Sequence, residues 1–213
     1  MKAQWFIMLL IAAVSCSWSH HASRPITPGD ITLLTDLPRG GAYTDASGSV
    51  LEYRIFRIHV TNNSTNPAEL TVDFPGSPVP LLPDTGRFIS VLLFPDAITP
   101  DIARDTFDFG IVGSVDFLIT QPLSATSLHA TLAPGAAQIL YIGVVFAPIG
   151  MKGLGRGELF IKGQQPKAAY FPEGAIPNDT ANGDGLALVF GVAIDPPTHY
   201  ALVPCGRVAF VRD

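Results

Sequence analysis

The chain has 213 residues and carries 13 Lys and Arg against 18 Asp and Glu, for a net charge of −5. Because a protein that binds nucleic acid needs a basic face to neutralise phosphates, this acidic balance argues against a nucleic-acid partner. Charged residues make up only 15% of the chain and hydrophobic residues 47%, which excludes a disordered protein. The 20 glycines and 19 prolines follow no repeat and favour many short strands joined by turns.

The N-terminal residues predict an export signal. Lys2 precedes an apolar run at 5–14, which is too short to span a bilayer. Small residues at Ser17 and Ser19 favour cleavage after Ser19, which would remove residues 1–19. Alternatively, residues 13–16 resemble a bacterial lipobox, in which residues 1–15 are removed and Cys16 becomes the lipidated N-terminus. Either scheme leaves a polar, proline-bearing tether at 20–28 and a single β-sandwich domain at 29–213.

Cysteine content limits the ways in which the fold is held together. The chain has two cysteines, and the first is either lipidated or removed with the leader. Cys205 then has no partner within its own chain, so a hydrophobic core must hold the mature fold together. We expect Cys205 to be a small buried or loop-end residue and not a reactive thiol.

The first half of the chain predicts strands at 31–37, 51–61 and 68–74. Glycine and proline punctuate a loop around Tyr43. In the strand at 51–61 the apolar alternation changes phase between Ile55 and Phe56, which predicts a β-bulge or a corner between sheets. The polar loop at 62–67 then predicts an antiparallel hairpin between the strands on either side of it.

The second half of the chain predicts further strands and one short helix. Residues 139–146 are apolar on both strand faces, which predicts a central strand covered on each side, with 158–162 as its partner. Thr99, Pro100 and Asp101 have the pattern of a helix start, so one or two helical turns are expected through Asp105. The remaining predicted strands lie at 88–94, 107–112, 115–120, 186–194 and 207–211. Residues 75–86 carry four prolines and predict an irregular crossing.

Several of these segments together resemble a known family. They are Val60-Thr-Asn-Asn63, Leu70-Thr-Val-Asp-Phe74, Phe117-Leu-Ile119, Thr131-Leu-Ala-Pro-Gly135, Val144-Val-Phe-Ala-Pro148, Gly150 and Gly157-Glu-Leu-Phe-Ile161. The pattern is similar to the immunoglobulin-like domains of the hydin and major-sperm-protein type, including the choice-of-anchor repeats of bacterial surface proteins. The resemblance implies an all-β fold, an immunoglobulin-like antiparallel β-sandwich with residues 75–113 as an inserted irregular mid-region. It also implies a non-enzymatic binding or scaffolding module, and it transfers no functional residue.

One loop has the composition of a calcium site. Asn178, Asp179, Asn182 and Asp184 place four oxygen-bearing side chains within seven residues, among glycines that permit tight turns. The spacing does not match an EF-hand, and a plain surface loop is the competing interpretation. Calcium is therefore the one cofactor that the sequence suggests, and no cofactor is the default expectation.

Other chemistry-bearing residues are scattered. His59, His129 and His199 show no metal-ligand spacing. Asp105, Asp108 and Asp116 could act as paired carboxylates in a hydrolase, although an Asp at a strand end is also ordinary turn chemistry. Five aromatic residues could line a sugar-binding face, although packing is the default for strand aromatics: Tyr43, Tyr53, Tyr170, Phe171 and Tyr200.

The export signal, the family resemblance and the lack of a serine-hydrolase motif lead to one functional expectation. The protein is expected to be an exported, non-catalytic module of the cell envelope that recognises a protein or a glycan. It would reside in the periplasm, at the outer membrane or outside the cell, and would contact a membrane only through a lipid on Cys16. The alternative is a secreted hydrolase that acts on extracellular polymers with Asp carboxylates.

Overall fold

A computed structural model of the protein describes residues 27–83, 86–100, 102, 104–121, 124–147, 154–164, 171, 185–195 and 199–211. Of these residues 56% lie in strands and 7% in helices, and the strands form two antiparallel sheets. The predicted all-β sandwich is therefore confirmed. Within the described ranges, no helix is long and apolar enough to cross a membrane.

Each of the two sheets combines strands from distant parts of the chain. In the first sheet the strands follow the order β1-β3-β8-β6-β5, with β2 also paired to β3, and the second sheet has the order β7-β4-β11-β10-β9. The first sheet contains β1 (Ile31–Thr35), β2 (Ala42–Thr44), β3 (Val50–Asn62), β5 (Val79–Pro80), β6 (Phe88–Leu93) and β8 (Ala137–Ala147). The second sheet contains β4 (Ala68–Phe74), β7 (Thr126–Leu132), β9 (Leu154–Ile161), β10 (Leu186–Asp195) and β11 (His199–Phe210). A 3-10 turn at Pro28–Asp30 and one helix, α1 (Ser114–Thr120), complete the described elements.

Strand β8 is the predicted central strand, and both of its faces are covered. It lies between β3 and β6 in the first sheet. Ile142 and Val144 belong to the core between the two sheets, which we call the inner core. Tyr141 and Val145 point to the opposite side and belong to a second apolar cluster, which we call the outer layer. The continuous apolar sequence of β8 thus reflects two separate layers of packing.

The phase change in β3 has the same origin, and the predicted bulge or corner is wrong. The pairing of β3 with β8 runs from Glu52 to Thr61 without a register shift, and β3 stays in one sheet throughout. Ile55 packs in the outer layer, whereas Phe56 packs in the inner core. Both neighbours in sequence are buried because the strand passes between two apolar layers at this point.

The predicted hairpin between β3 and β4 is also wrong, because these strands lie in different sheets. The buried side chain of Asn62 organises the crossing. Its Nδ2 donates to the carbonyl oxygens of Asn66 at 2.8 Å and Leu132 at 2.9 Å, and its Oδ1 accepts the Ser64 hydroxyl at 2.7 Å. Since these bonds satisfy backbone groups of the crossing loop and of the end of β7, one buried amide links the two sheets.

Four other sequence predictions are corrected. Strand β9 pairs with β10 in the second sheet and not with β8. The described residues between Thr99 and Asp105 form no helix. Residues 107–112 form turns, and the predicted strand at 115–120 is instead helix α1. Its Ser114 and Leu118 are buried one helical turn apart, so packing overrides the strand propensity of Val115, Phe117 and Ile119.

A true bulge lies in β11. The register with β10 shifts between Leu188↔Gly206 and Val189↔Pro204, which leaves Cys205 as the extra residue. Gly206 has φ +131°, and a Cβ there would lie 2.0 Å from the Thr71 carbonyl oxygen, so only glycine fits. Because the bulge changes the phase of the strand, Cys205 and Val208 both face the inner core.

Candidate binding groove

A groove of about 440 Å³ lies beside strand β7. One wall consists of β7 and the two residues before it, and Gln138 of β8 also lines the groove. The other wall consists of residues 93–96, which follow β6, together with Phe117 and Gln121 near the end of α1. The volume lies within the range of ligand-binding clefts, roughly 300 to 1,000 Å³.

The groove combines an apolar base with hydrogen-bonding groups. The rings of Phe94 and Phe117 lie 5.3 Å apart, and the Phe94 side chain is buried. Leu93 donates its backbone N–H to the Thr126 hydroxyl at 2.8 Å, which joins the two sheets at one end. Asp96 is the one Asp, Glu, Lys or Arg among the described residues that line the groove. This arrangement suits a neutral ligand with hydrogen-bonding groups.

A second polar cluster lies on the outer side of the first sheet, around Phe109. The guanidinium groups of Arg39 and Arg57 lie 5.3 and 4.7 Å from the centre of its ring. Arg57 Nε donates to Asp36 Oδ2 at 2.5 Å, and Arg39 Nη1 donates to the Asp105 carbonyl oxygen at 2.9 Å. Phe109 itself has φ +59°, a left-handed conformation that is rare for a bulky residue. The contacts fasten residues 104–109 to β3, and we call this cluster the arginine clasp.

Three buried tyrosines lie beneath the residues that cover the first sheet. Burial raises the pKa of Tyr43, Tyr53 and Tyr141, with nearby carboxylates adding to the effect. The hydroxyls of Tyr43 and Tyr141 have no hydrogen-bond partner among the described atoms. Tyr43 and Tyr53 pack edge to face with ring centres 5.9 Å apart. These aromatics therefore pack in the outer layer, as the default interpretation predicted.

The carboxylates considered for hydrolysis occupy structural positions. Asp105 Oδ1 lies 3.4 Å from Arg39 Nη2 in the arginine clasp. Asp108 accepts the Gly110 N–H at 3.0 Å and the Ser114 hydroxyl at 3.4 Å, which shapes the loop before α1. Asp116 lies in the first turn of α1, where a negative charge complements the helix dipole.

The remaining candidate residues are dispersed over the molecule. His59 lies 3.4 Å from Asp36, His129 lies 3.2 Å from the Thr71 hydroxyl, and His199 begins β11. The described residues contain no group of three or more His, Cys, Asp or Glu that could hold a metal ion. Phe171 packs on Phe160, and Tyr200 exchanges backbone hydrogen bonds with Leu82.

Some predicted site residues lie outside the described residues. These are Cys16, Tyr170 and the candidate calcium ligands Asn178, Asp179, Asn182 and Asp184. Cys205 is described, and its exposed fraction of 1% makes it buried, which is one of the two placements expected for it. Burial raises the pKa of its thiol to about 12, so the reactive thiolate is disfavoured.

The groove was not predicted from the sequence, although β7, the main strand that lines it, has a recognisable sequence pattern. Leu128, Ala130 and Leu132 alternate with Ser127, His129 and Thr131, which is the pattern of a half-buried strand. Comparison of the chain with family models, with curated proteins and with solved structures found no match. The likeness to hydin-type domains therefore stays a prediction.

Proposed function

We propose that the protein is an exported, non-catalytic binding module of the cell envelope, which recognises a protein or a glycan through the groove beside β7. The groove carries the proposal, because it is a walled concavity with both apolar surface and hydrogen-bonding groups. The N-terminal sequence supports export, and Cys16 is the residue that would carry a lipid anchor. The immunoglobulin-like character of the sandwich belongs to the same proposal and rests on the sequence resemblance.

The described carboxylates favour binding over hydrolysis. Asp105 is held by arginine and Asp108 by loop hydrogen bonds, so each has a structural role. The residues that line the groove include one carboxylate, Asp96, whereas glycoside hydrolysis uses a pair that flanks the scissile bond.

The proposal is tested by filling the groove with a large side chain. Ala125 lines the groove and is exposed, so Ala125→Trp places a large side chain there without disturbing the inner core. Ala46→Trp is the matched control, because Ala46 is exposed in the turn between β2 and β3. Both variants and the parent are screened on a glycan array and against labelled envelope proteins. We expect a ligand that binds the parent and Ala46→Trp but not Ala125→Trp.

Two results would overturn this proposal. Equal binding by Ala125→Trp would place the site elsewhere. Reproducible turnover of a glycan or ester, lost in an Asp→Asn variant, would make the protein a hydrolase. The location is tested separately by fractionating cells that express Cys16→Ala. A parent that shares the soluble envelope fraction with this variant would rule out lipid anchoring.

A further inference from the structure

The backbone of β7 has one side bonded to β4 and one side that faces away from the sheet. Val211 donates its N–H to the Pro67 carbonyl, so odd-numbered residues of β4 pair with β11. Because pairing alternates along an antiparallel strand, the even-numbered residues of β4 bond to β7. In the register Leu70↔Ala130 and Val72↔Leu128, the groups that face away then belong to Ser127, His129 and Thr131.

This free side is available within the described part of the chain. None of the described backbone groups bonds to the N–H or C=O of Ser127, His129 or Thr131. Ser127 and His129 line the groove, and Thr131 lies just beyond its end. The groove therefore presents N–H and C=O groups at the two-residue repeat of an extended polypeptide.

The other sheet edges are protected in ways that β7 is not. Strand β2 has three residues, and strand β5 has two and ends in Pro80. Strand β9 carries Arg156 and Glu158. Strand β1 lies beside β9, where the Leu159 N–H points to the Thr35 hydroxyl at 3.4 Å. Short edges, prolines and charges are the devices that prevent strand addition, and β7 has seven residues with no proline and no Asp, Glu, Lys or Arg.

We propose that an extended segment of a partner polypeptide binds in this groove as an additional strand of the second sheet. Its backbone pairs with Ser127, His129 and Thr131, and alternate side chains enter the groove toward Phe117 and Gln138. This inference rests on the proposed binding function and names the class of its ligand. It is a case of recognition by β-strand addition, in which main-chain hydrogen bonds supply affinity and side-chain pockets supply specificity.

The shape of the groove favours a single strand over a second folded copy of this chain. Residues 93–96 and the end of α1 line the groove together with β7, so an occupant that pairs with β7 also has to fit beside them. A single extended segment meets this requirement with one backbone, whereas a second sandwich would bring both of its sheets to the same place. A glycan is also less suitable, because Phe94 is only 4% exposed and leaves the half-buried Phe117 as the one described Phe, Tyr or Trp ring in the groove on which a sugar could stack.

The test uses seven-residue peptides selected from a random display library on the purified protein. Each selected peptide is then resynthesised with one backbone N-methyl group at successive positions. Strand addition requires that methylation at alternate residues weakens binding more than about tenfold, a loss of about 1.4 kcal/mol. Methylation at the intervening residues is expected to change the affinity by less than threefold, because those N–H groups face away from β7.

Variants of the protein give a second, independent readout. His129→Pro removes an N–H that faces the groove but no bond to β4, and we expect it to weaken binding at least tenfold. His129→Ala keeps that N–H, so any loss that it causes reports the side chain alone, and we expect His129→Pro to bind at least threefold more weakly than His129→Ala. Thermal melts report whether each variant is folded. If His129→Pro does not fold, the N-methyl series still decides the question.

Three outcomes would overturn the inference. The first is that no peptide is enriched, and the second is that binding is indifferent to N-methylation. The third is that the protein forms a dimer, which the His129→Pro substitution dissociates. This result would show that β7 pairs with a second copy of the chain. A glycan that binds the parent but not Ala125→Trp, together with the first outcome, would leave the proposed function standing while strand addition fails.

Discussion

The inner core and the outer layer share strands β3, β6 and β8 but are built in different ways. The inner core contains 27 buried residues among those described, drawn from both sheets, and their alternation is visible along most strands. The outer layer contains 10, and four of them come from irregular segments and α1: Phe94, Phe109, Ile111 and Leu118. The arginine clasp fastens the cover at its rim. The comparison predicts that the cover opens more readily than the sandwich, because fewer and partly polar contacts hold it.

Truncating one residue in each layer gives the largest expected effects. Phe190 is fully buried and packs edge to face on Phe56 and Phe74, so Phe190→Ala should lower the free energy of unfolding by about 3–5 kcal/mol. Leu118 is also fully buried, but Leu118→Ala should act mainly on the cover. We expect a smaller shift in the denaturation midpoint, with faster hydrogen exchange confined to α1 and the cover.

Denaturant titration and hydrogen exchange of the two variants check this prediction. Equal losses of global stability, with exchange accelerated uniformly, would mean that the two layers form one cooperative unit.

The second prediction concerns the inner core, and specifically how its contribution to stability depends on pH. Burial raises the pKa of the Cys205 thiol from 9.0 to about 12, so the folded state keeps the proton that the unfolded state loses. The associated stability is complete below about pH 9 and falls as the pH rises toward 12, by up to about 1.4 kcal/mol per pH unit. Cys205→Ala should remove this alkaline loss, although it also removes packing at every pH.

Urea titrations of both proteins between about pH 8 and pH 10.5 measure the difference. The buried tyrosines are common to both proteins and cancel in the comparison. Parallel pH profiles for the parent and Cys205→Ala would contradict the raised thiol pKa.

The smallest expected effect concerns the arginine clasp. Asp105 Oδ1 lies 3.4 Å from Arg39 and 3.8 Å from Arg57, but its side chain is 83% exposed. Because solvent screens such pairs, Asp105→Asn should cost about 0.2–1 kcal/mol, and the cost should appear as more frequent opening of the cover. Asp73→Asn on the exposed face of β4 is the matched control.

Hydrogen exchange of α1 measures the opening, and added salt should reduce the difference between Asp105→Asn and the parent. A difference that is independent of salt would show that the carboxylate acts through its hydrogen bonds and not through its charge.

Period-two alternation located β3 and β4, and continuous apolar runs located β6, β8 and β10, because each of these strands buries at least one face against an apolar layer. The groove was missed because a groove is defined by the distance between β7 and residues 93–96, and their separation along the chain carries no information about that distance.

The sequence by itself determined the fold class, the buried central strands and the acidic charge balance of the chain. Only the tertiary structure showed the cause of each break in the alternation of apolar and polar residues. At Ile55 and Phe56 the break arises because a strand passes between two apolar layers, whereas between Cys205 and Val208 it arises from a bulge. Tertiary packing also turned residues 114–120 into a helix and sent β4 to the second sheet. The physical reason is that alternation reports only whether a side chain is covered, and the covering element can come from any distance along the chain.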